Sequence, residues 1–395
     1  MTTLADLADF AALADADPSC VDDEEVRADR RRRLFAAMDD HGLDALVLGR
    51  PAEVAFASGA RQLWTAGTRP FGPACVAVRA TGRTHLLSVS DFDVPAEVGH
   101  DDLFGLFWNP ANLAAALAAI HGLPDAARVG TTSSSPGFPR LIAAVAPGAE
   151  VVDGSAAVRA ARTPKSAAEV ARIAAAAGIA EAALDAMVGA LRPGVTERDL
   201  RATYLESIAA RGAPTPPTEG VACATPSRGP VALRRIATDV RLEAGQLVAL
   251  DPGAFFRGYE GGVGRTRVVG GAASGRQRAL ARRCHLAVDA VAAACRAGAT
   301  GRDLLRAWTS CGEALPAAPL AHGVGLGAEP PVVGAGTGAG VGADSVLRAG
   351  TVLAVTGWVG EAGVGGVLTR ELVVVTDGEP QVLTASGRSL AGEEG

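Results

Sequence analysis

The second half of this chain is written twice. Arg192-Pro-Gly-Val-Thr-Glu-Arg-Asp-Leu200 matches Arg296-Ala-Gly-Ala-Thr-Gly-Arg-Asp-Leu304, Ala244-Gly-Gln-Leu-Val-Ala-Leu-Asp251 matches Ala349-Gly-Thr-Val-Leu-Ala-Val-Thr356, and Gly261-Gly-Val263 matches Gly365-Gly-Val367. The offsets are 104, 105 and 104 residues, in order along the chain. Chance similarity would not hold one spacing across three segments. Residues from about 165 to 385 therefore form two copies of a helix-then-strand unit, each too small to close a core alone. Two copies related by a pseudo-twofold axis bring their strands around a shared cleft, and a cleft between repeats is a natural ligand site.

The 395 residues exceed what one ordinary core organises, so another domain is expected ahead of the repeat. Residues 1–22, rich in Ala and Asp, read as a loosely attached tail. A helix is predicted from near Glu24 to about His41; the acidic stretch Asp22, Asp23, Glu24 and Glu25 precedes the run Arg30, Arg31, Arg32 and Arg33, the spacing of a solvated charged helix face. Residues 42–49, Cys75 to Val78 and Thr84 to Val89 have strand length and apolar content, and 111–120 is helical, giving an α/β domain over 23–160. At Arg162-Thr-Pro-Lys-Ser166 the texture changes. Pro164 marks a boundary, Ser166 is placed as an N-cap, and Glu169 completes a capping box. A long Ala-rich helix should then run to about Leu191 and open a second domain over 161–395.

A net charge of −6 offers no positive field to nucleic acid. No run reaches the ~18 uncharged apolar residues of a membrane span, and the acidic N-terminus lacks the basic-then-apolar pattern of a secretory leader. Cys20, Cys75, Cys223, Cys284, Cys295 and Cys311 contain no C-x-x-C pair; they read as small buried side chains in a reducing cytoplasm.

Seven segments carry a family resemblance. They are MDDHGLDALVL (38–48) and VAFASGARQLW (54–64) in the first domain, then RTPKSAAEVARI (162–173), LRPGVTERDL (191–200), GQLVALDPGAFFRGYEGGVGRTR (245–267), HGVGLGAEPP (322–331) and GGVLTRELVVVTDG (365–378). In order and spacing the chain resembles the creatinase/prolidase/methionine aminopeptidase family over nearly its whole length. The resemblance implies an α/β fold: a creatinase-type N-terminal domain followed by a pita-bread domain with internal pseudo-twofold duplication. It also implies hydrolase chemistry on a C–N bond and a homodimer.

That family holds two metal ions with two aspartates, a histidine and two glutamates, donors suited to cations sharing a bridging water. Carried over residue by residue, Asp251 and His322 are present. The second aspartate falls on Gly262, the first glutamate on Thr356 and the second on Arg370, although a one-residue shift would bring Glu371 into place. At most three of the five ligands survive, too few to clamp two divalent ions, and a guanidinium at Arg370 would repel them. No metal or other cofactor is therefore expected. The family's second histidine corresponds to Ala328, beside Glu329. The histidine upstream of the first aspartate, the proton carrier of metal-free creatinase, corresponds to Arg234.

The polar set that remains is Arg234, Asp251, Arg265, His322, Glu329, Thr356, Arg370 and Glu371. The expectation is that guanidinium groups replace the metals as the pocket's positive charge and hold a small molecule bearing a carboxylate, with Thr356 and Glu329 lining the same pocket. His322 would transfer protons, aided by Asp251 and Glu371. Structural readings stand beside these. Asp251 could equally serve an arginine pair, Arg265 and Thr266 match a family pair with a structural role, and Thr356 is a β-branched strand residue. Glycines at 323, 325, 327, 334, 336, 338 and 340 suggest a mobile loop near His322, but no Gly-Lys-Ser/Thr follows to make it a phosphate cradle. In the first domain Arg61, Trp64 and Arg69 form a second binding candidate, since in creatinase-like dimers this region can reach the other subunit's active site. A plain surface turn at Gly67 and Pro70 is the alternative.

Three functions are compatible with these residues. One is a metal-independent hydrolase or lyase acting on a C–N bond of a small anionic metabolite. Another is a non-catalytic pita-bread binding module. The third is an Xaa-Pro metallopeptidase with an unrecognised ligand set. The retained Gly-rich segment and the concentrated arginines favour the first.

Overall fold

The computed structural model describes residues 23–60, 74–88, 94–105, 109–132, 137–213, 215–225, 231–335 and 342–391. The expected tail at 1–22 and the candidates Arg61, Trp64 and Arg69 lie outside them. The chain divides into two compact units, passing from one to the other between Arg162 and Thr163.

The first unit runs α1 (Asp23–Asp40), β1 (Ala45–Leu48), α2 (Pro51–Ser58), β2 (Ala74–Val78), β3 (Arg83–Ser88), β4 (Leu103–Gly105), α3 (Pro110–Ala118), β5 (Arg128–Thr131), α4 (Gly137–Val145), β6 (Glu150–Asp153) and α5 (Ser155–Arg162). Its sheet has the order β4-β3-β2-β1-β5-β6, with antiparallel pairing of β1 with β2 and of β2 with β3, and parallel pairing elsewhere. Every residue of β1 and β2 is buried, which is what unbroken apolar strands covered on both faces require. The charged face of α1 is solvated only in part. Arg32 and Arg33 pair with Asp29 at 2.8 and 2.9 Å, whereas Arg30 is buried and Arg33 also donates to the Ala161 carbonyl of α5.

The second unit contains α6 (Ala167–Ala190), α7 (Glu197–Ala210), β7 (Val221–Ala224), β8 (Leu247–Asp251), β9 (Gly253–Phe256), β10 (Tyr259–Gly262) and β11 (Arg265–Val268), then α8 (Gly275–Ala294), α9 (Gly301–Thr309), β12 (Ala321–Gly325), β13 (Gly327–Val333), β14 (Val352–Glu361), β15 (Gly365–Val374) and β16 (Gln381–Val382). The capping box at the start of α6 forms as read: the Ser166 amide donates to Glu169 at 2.9 Å, and the Glu169 amide donates back to Ser166 Oγ at 3.3 Å.

The duplication is visible in backbone bonds. Gly194 N–H donates to Leu242 at 2.8 Å, and Gly298 N–H to Leu347 at 2.9 Å. Gly245 N–H donates to Val269 at 2.8 Å, and Gly350 N–H to Val375 at 2.9 Å. All four glycines have φ between 79° and 88°, where a Cβ would be strained, so the repeated Gly is a backbone requirement. Strands β11-β8-β7 and β15-β14-β12 are equivalent antiparallel trios, each with its own apolar core. The two trios join where Gly264 N–H donates to Arg370 at 3.3 Å and Arg370 N–H returns a bond at 3.0 Å.

By length and composition α6 is apolar enough to cross a membrane, but Val170, Ile173, Ala176, Ala177, Leu184 and Met187 are buried in this unit. Strand β10 lies flat against it. A Cβ on Gly261 would stand 2.2 Å from the Ala177 amide nitrogen, so glycine there sets how close strand and helix come.

Two expectations are corrected. Glycines 323, 325, 327 and 334 do not form a mobile loop: the first three belong to the β12–β13 hairpin, and Gly334 continues it in a bridge. They admit close neighbours, since a Cβ on Gly325 would lie 2.8 Å from Lys165 Cε. Glycines 336, 338 and 340 lie outside the described residues. Cys75, Cys223, Cys284 and Cys295 are buried and free, but Cys311 is exposed on the turn after α9.

Candidate functional site

Asp251 is the last residue of β8, and Thr356 faces Arg370 across β14 and β15. Residues directly opposite in an antiparallel pair share a sheet face. Arg370 Nε donates to Thr356 Oγ1 at 3.0 Å, and its Nη1 stands 2.9 Å from Asp251 Oδ1 as an ion pair not aligned for a hydrogen bond. The same Nη1 would be 3.8 Å from a Cβ placed on Gly262. His322 lies opposite Ala354, two residues from Thr356 on the same strand face. The structure therefore brings Asp251, Gly262, His322, Thr356 and Arg370 to one place, with the guanidinium in the middle.

Burial pushes the Asp251 carboxyl up, against the opposing pull of Arg370 and Arg235. Burial also lowers His322 to about 4, with Arg370 and Arg235 pushing the same way, so the imidazole is neutral at pH 7.

Four candidates have other partners. Arg234 turns to α7: its guanidinium meets Glu197 at 2.5 and 3.0 Å and the Ala224 carbonyl at 3.3 Å. Burial alone would raise Glu197, but bonds from Arg234 and Thr238 hold its carboxyl low. The neighbouring Arg235 is the arginine whose charge acts on Asp251 and His322. Arg265 is a structural clamp. It donates to Glu371 at 3.1 Å, to the Arg370 and Gly264 carbonyls at 2.8 Å, and to the Ser386 carbonyl at 2.8 and 3.0 Å.

Glu371 cannot take the place of Arg370, because successive strand residues face opposite ways. Its carboxylate is held on the other face by Arg265, Thr384 and, at 2.6 Å, Arg388. Glu329 forms a buried ion pair with Lys165, the chain's one lysine, which also donates to the Thr163 carbonyl at 2.8 Å.

Sequence reasoning passed over Glu260. In β10, Tyr259 donates to Glu169 on α6 and Gly261 abuts the same helix, so Glu260 and Gly262 share the opposite face. Glu260 is 9% exposed. Burial raises its carboxyl to about 7; Arg370 opposes the shift, while Asp251 and Glu329 add to it. Two-residue periodicity counted back from Gly262 would have found it.

These side chains do not fit a metal pair. Among the described residues no group of three or more His, Cys, Asp or Glu is arranged to hold a metal ion. At the aligned positions a guanidinium occupies the ground between Asp251 and Thr356.

Comparisons with known proteins agree with this architecture. Residues 171–377 match the family described as Metallopeptidase family M24, and residues 30–163 match the Creatinase/Prolidase N-terminal domain. The prolidase of Pyrococcus horikoshii OT3 superposes with a TM-score of 0.75 at 23% identity, over 91% of this chain and 99% of that one. The Xaa-Pro dipeptidase from Bacillus anthracis gives 0.74 at 21% identity, over 92% and 99%. The X-Pro aminopeptidase from Thermotoga maritima MSB8 gives 0.75 at 20%, over 91% and 99%. No curated protein matches at the sequence level. The fold and the duplicated strands are those of a metallopeptidase family M24 domain preceded by a creatinase/prolidase N-terminal domain. The chain belongs to metallopeptidase family M24.

Proposed function

We propose that this centre is a metal-independent member of the prolidase-like hydrolases, acting on a C–N bond of a small molecule that carries a carboxylate. The supporting observation is the Arg370 guanidinium held between Asp251 and Thr356, a fixed cation built into the place where the family's ligands would converge. Arg235 adds a second, exposed guanidinium beside it. Such groups orient carboxylates and stabilise an oxyanion as it develops. In amide hydrolysis water adds to the carbonyl carbon and neutral His322 takes its proton. The oxyanion faces Arg370, and the proton passes to the amine nitrogen as the C–N bond breaks. A homodimer in the cytoplasm belongs to the same proposal, on the strength of the family resemblance and the buried free thiols.

A second reading, an Xaa-Pro metallopeptidase with a different ligand set, accords better with the comparisons, whose solved structures are prolidases and Xaa-Pro peptidases. The donor set stands against it. Turnover of Xaa-Pro dipeptides, amides and guanidino acids, measured with chelator and with added Mn²⁺, Co²⁺ or Zn²⁺, separates the readings. Chelator-insensitive turnover lost in His322→Ala supports the first, and metal-dependent turnover supports the second. Saturable binding without turnover would make the protein a binding module.

A further inference from the structure

Glu197 opens α7 and is fully buried. Its carboxylate accepts from five donors: the Ala224 amide at 2.8 Å, the Thr238 amide at 2.9 Å, the Thr238 hydroxyl at 2.7 Å, and two Arg234 nitrogens at 2.5 and 3.0 Å. Ala224 ends β7, the strand paired with β8, which itself ends in Asp251. Arg234 and Thr238 belong to an irregular segment, where no strand or helix ladder holds the backbone. The Glu197 side chain supplies that hold.

The second copy of the repeat shows that the helix start does not itself need this carboxylate. Both helices open with an N-cap amide bonded to the acid three residues on, Thr196 to Asp199 at 2.9 Å and Thr300 to Asp303 at 2.8 Å. Their first two amides then bond alike. Glu197 and Arg198 donate to Val240 and Thr238 at 3.3 and 3.2 Å, and Gly301 and Arg302 to Ser345 and Ala343 at 3.0 and 2.9 Å. Gly301 stands in the place of Glu197, and a Cβ on it would lie 2.1 Å from the Gly342 carbonyl oxygen. One copy thus builds this junction with no side chain, and the other puts a buried carboxylate there.

Burying a carboxylate is costly, and the five donors offset that cost. The result is a fixed course for the segment. With Arg234 turned to Glu197, the adjacent Arg235 is left exposed and without an ion-pair partner among the described residues. Its charge reaches Asp251 and His322.

We infer that Glu197 is a positioning residue: through Arg234 and Thr238 it holds the segment that presents Arg235 to a carboxylate of the ligand. This rests on the carboxylate-binding reading above and adds what sets the second guanidinium in place before the ligand arrives. A cation on a held backbone loses less freedom on binding than one on a loose loop.

Calorimetric titration with N-acetylproline and N-acetylprolinamide, which differ in the carboxylate alone, tests the inference. Wild-type protein should prefer the acid about tenfold or more, and Arg235→Ala should reduce that preference. Glu197→Gln should reduce it as far as Arg235→Ala does, and the double variant should lose nothing further. A purely structural Glu197 would weaken acid and amide alike. An unchanged ratio in Glu197→Gln beside a reduced one in Arg235→Ala therefore overturns the inference and leaves the carboxylate site standing. A ratio untouched by Arg235→Ala overturns it as well. No preference or no binding by wild-type protein overturns the carboxylate reading, and the inference with it. Thr238→Val removes one hydrogen bond to the same carboxylate and should lower the ratio about threefold; this variant decides if Glu197→Gln does not fold.

Discussion

Arg370 Nη1 stands 2.9 Å from Asp251 Oδ1, joining the end of β8 in one repeat to the middle of β15 in the other. Asp251 is buried and the Arg370 side chain is only 11% exposed, so the pair is worth little as net stability but much against losing one member. Arg370→Met should destabilise the fold by about 3–5 kcal/mol because it strands Asp251 without its cation. Asp251→Asn combined with Arg370→Met should cost clearly less than the sum of the two single changes. Urea denaturation of the four proteins reads both effects, and additive losses would show the contact to be unimportant.

Glu260 gives the protein a pH signature. Its carboxyl is raised to about 7 in the folded state, so the folded protein holds this proton more tightly than the unfolded chain. The contribution is present at low pH and is lost as pH rises toward and through about 7. Glu260→Gln should match wild type near pH 4 and exceed it by about 3 kcal/mol at pH 8. Denaturation midpoints at the two pH values check this; an equal difference at both would mean that the carboxyl titrates normally.

His322 has the opposite sign. Held at about 4, it binds its proton less readily when folded, so stability is lost as pH falls below the ordinary histidine range toward 4. His322→Gln should flatten this part of the acid limb by about 3 kcal/mol relative to wild type. His285, also lowered to about 4 by burial, adds a parallel loss that this variant leaves in place. Identical acid limbs for wild type and variant would remove His322 from the account.

Two adjacent glycines should respond differently to the same change. Gly261→Ala puts a methyl 2.2 Å from the Ala177 amide nitrogen and must push β10 off α6, at a cost of about 3 kcal/mol or more. Gly262→Ala meets contacts of 3.4 Å and longer and should stay within about 1 kcal/mol of wild type. Thermal melts of the two variants are sufficient, and equal losses would show that β10 does not pack as described.

The sequence made local and periodic features readable, and left non-local ones hidden. The capping box at Ser166 and Glu169 depends on three-residue spacing, and it formed as read. The repeated glycines at 194 and 298 mark equal backbone bonds because positive φ is a local demand. Glu371 was misjudged because its partners, Arg265 and Arg388, lie 106 residues before it and 17 after it. Which of Arg234 and Arg235 turns toward Asp251 is not legible, because the segment is irregular and has no strand or helix period to tell two adjacent side chains apart. Glu260 is not marked by the family's ligand positions, since it lies two residues before Gly262 in the same strand. The neighbouring position on the same strand face had kept a carboxylate.

Metal content tests the central claim most directly. Purified protein should be incubated with excess Mn²⁺, Co²⁺ or Zn²⁺, desalted, and assayed by elemental mass spectrometry. With Arg370 between Asp251 and Thr356, no stoichiometric metal should remain with the chain. Retention of two ions per chain, lost when Asp251 is changed to Asn, would contradict the account.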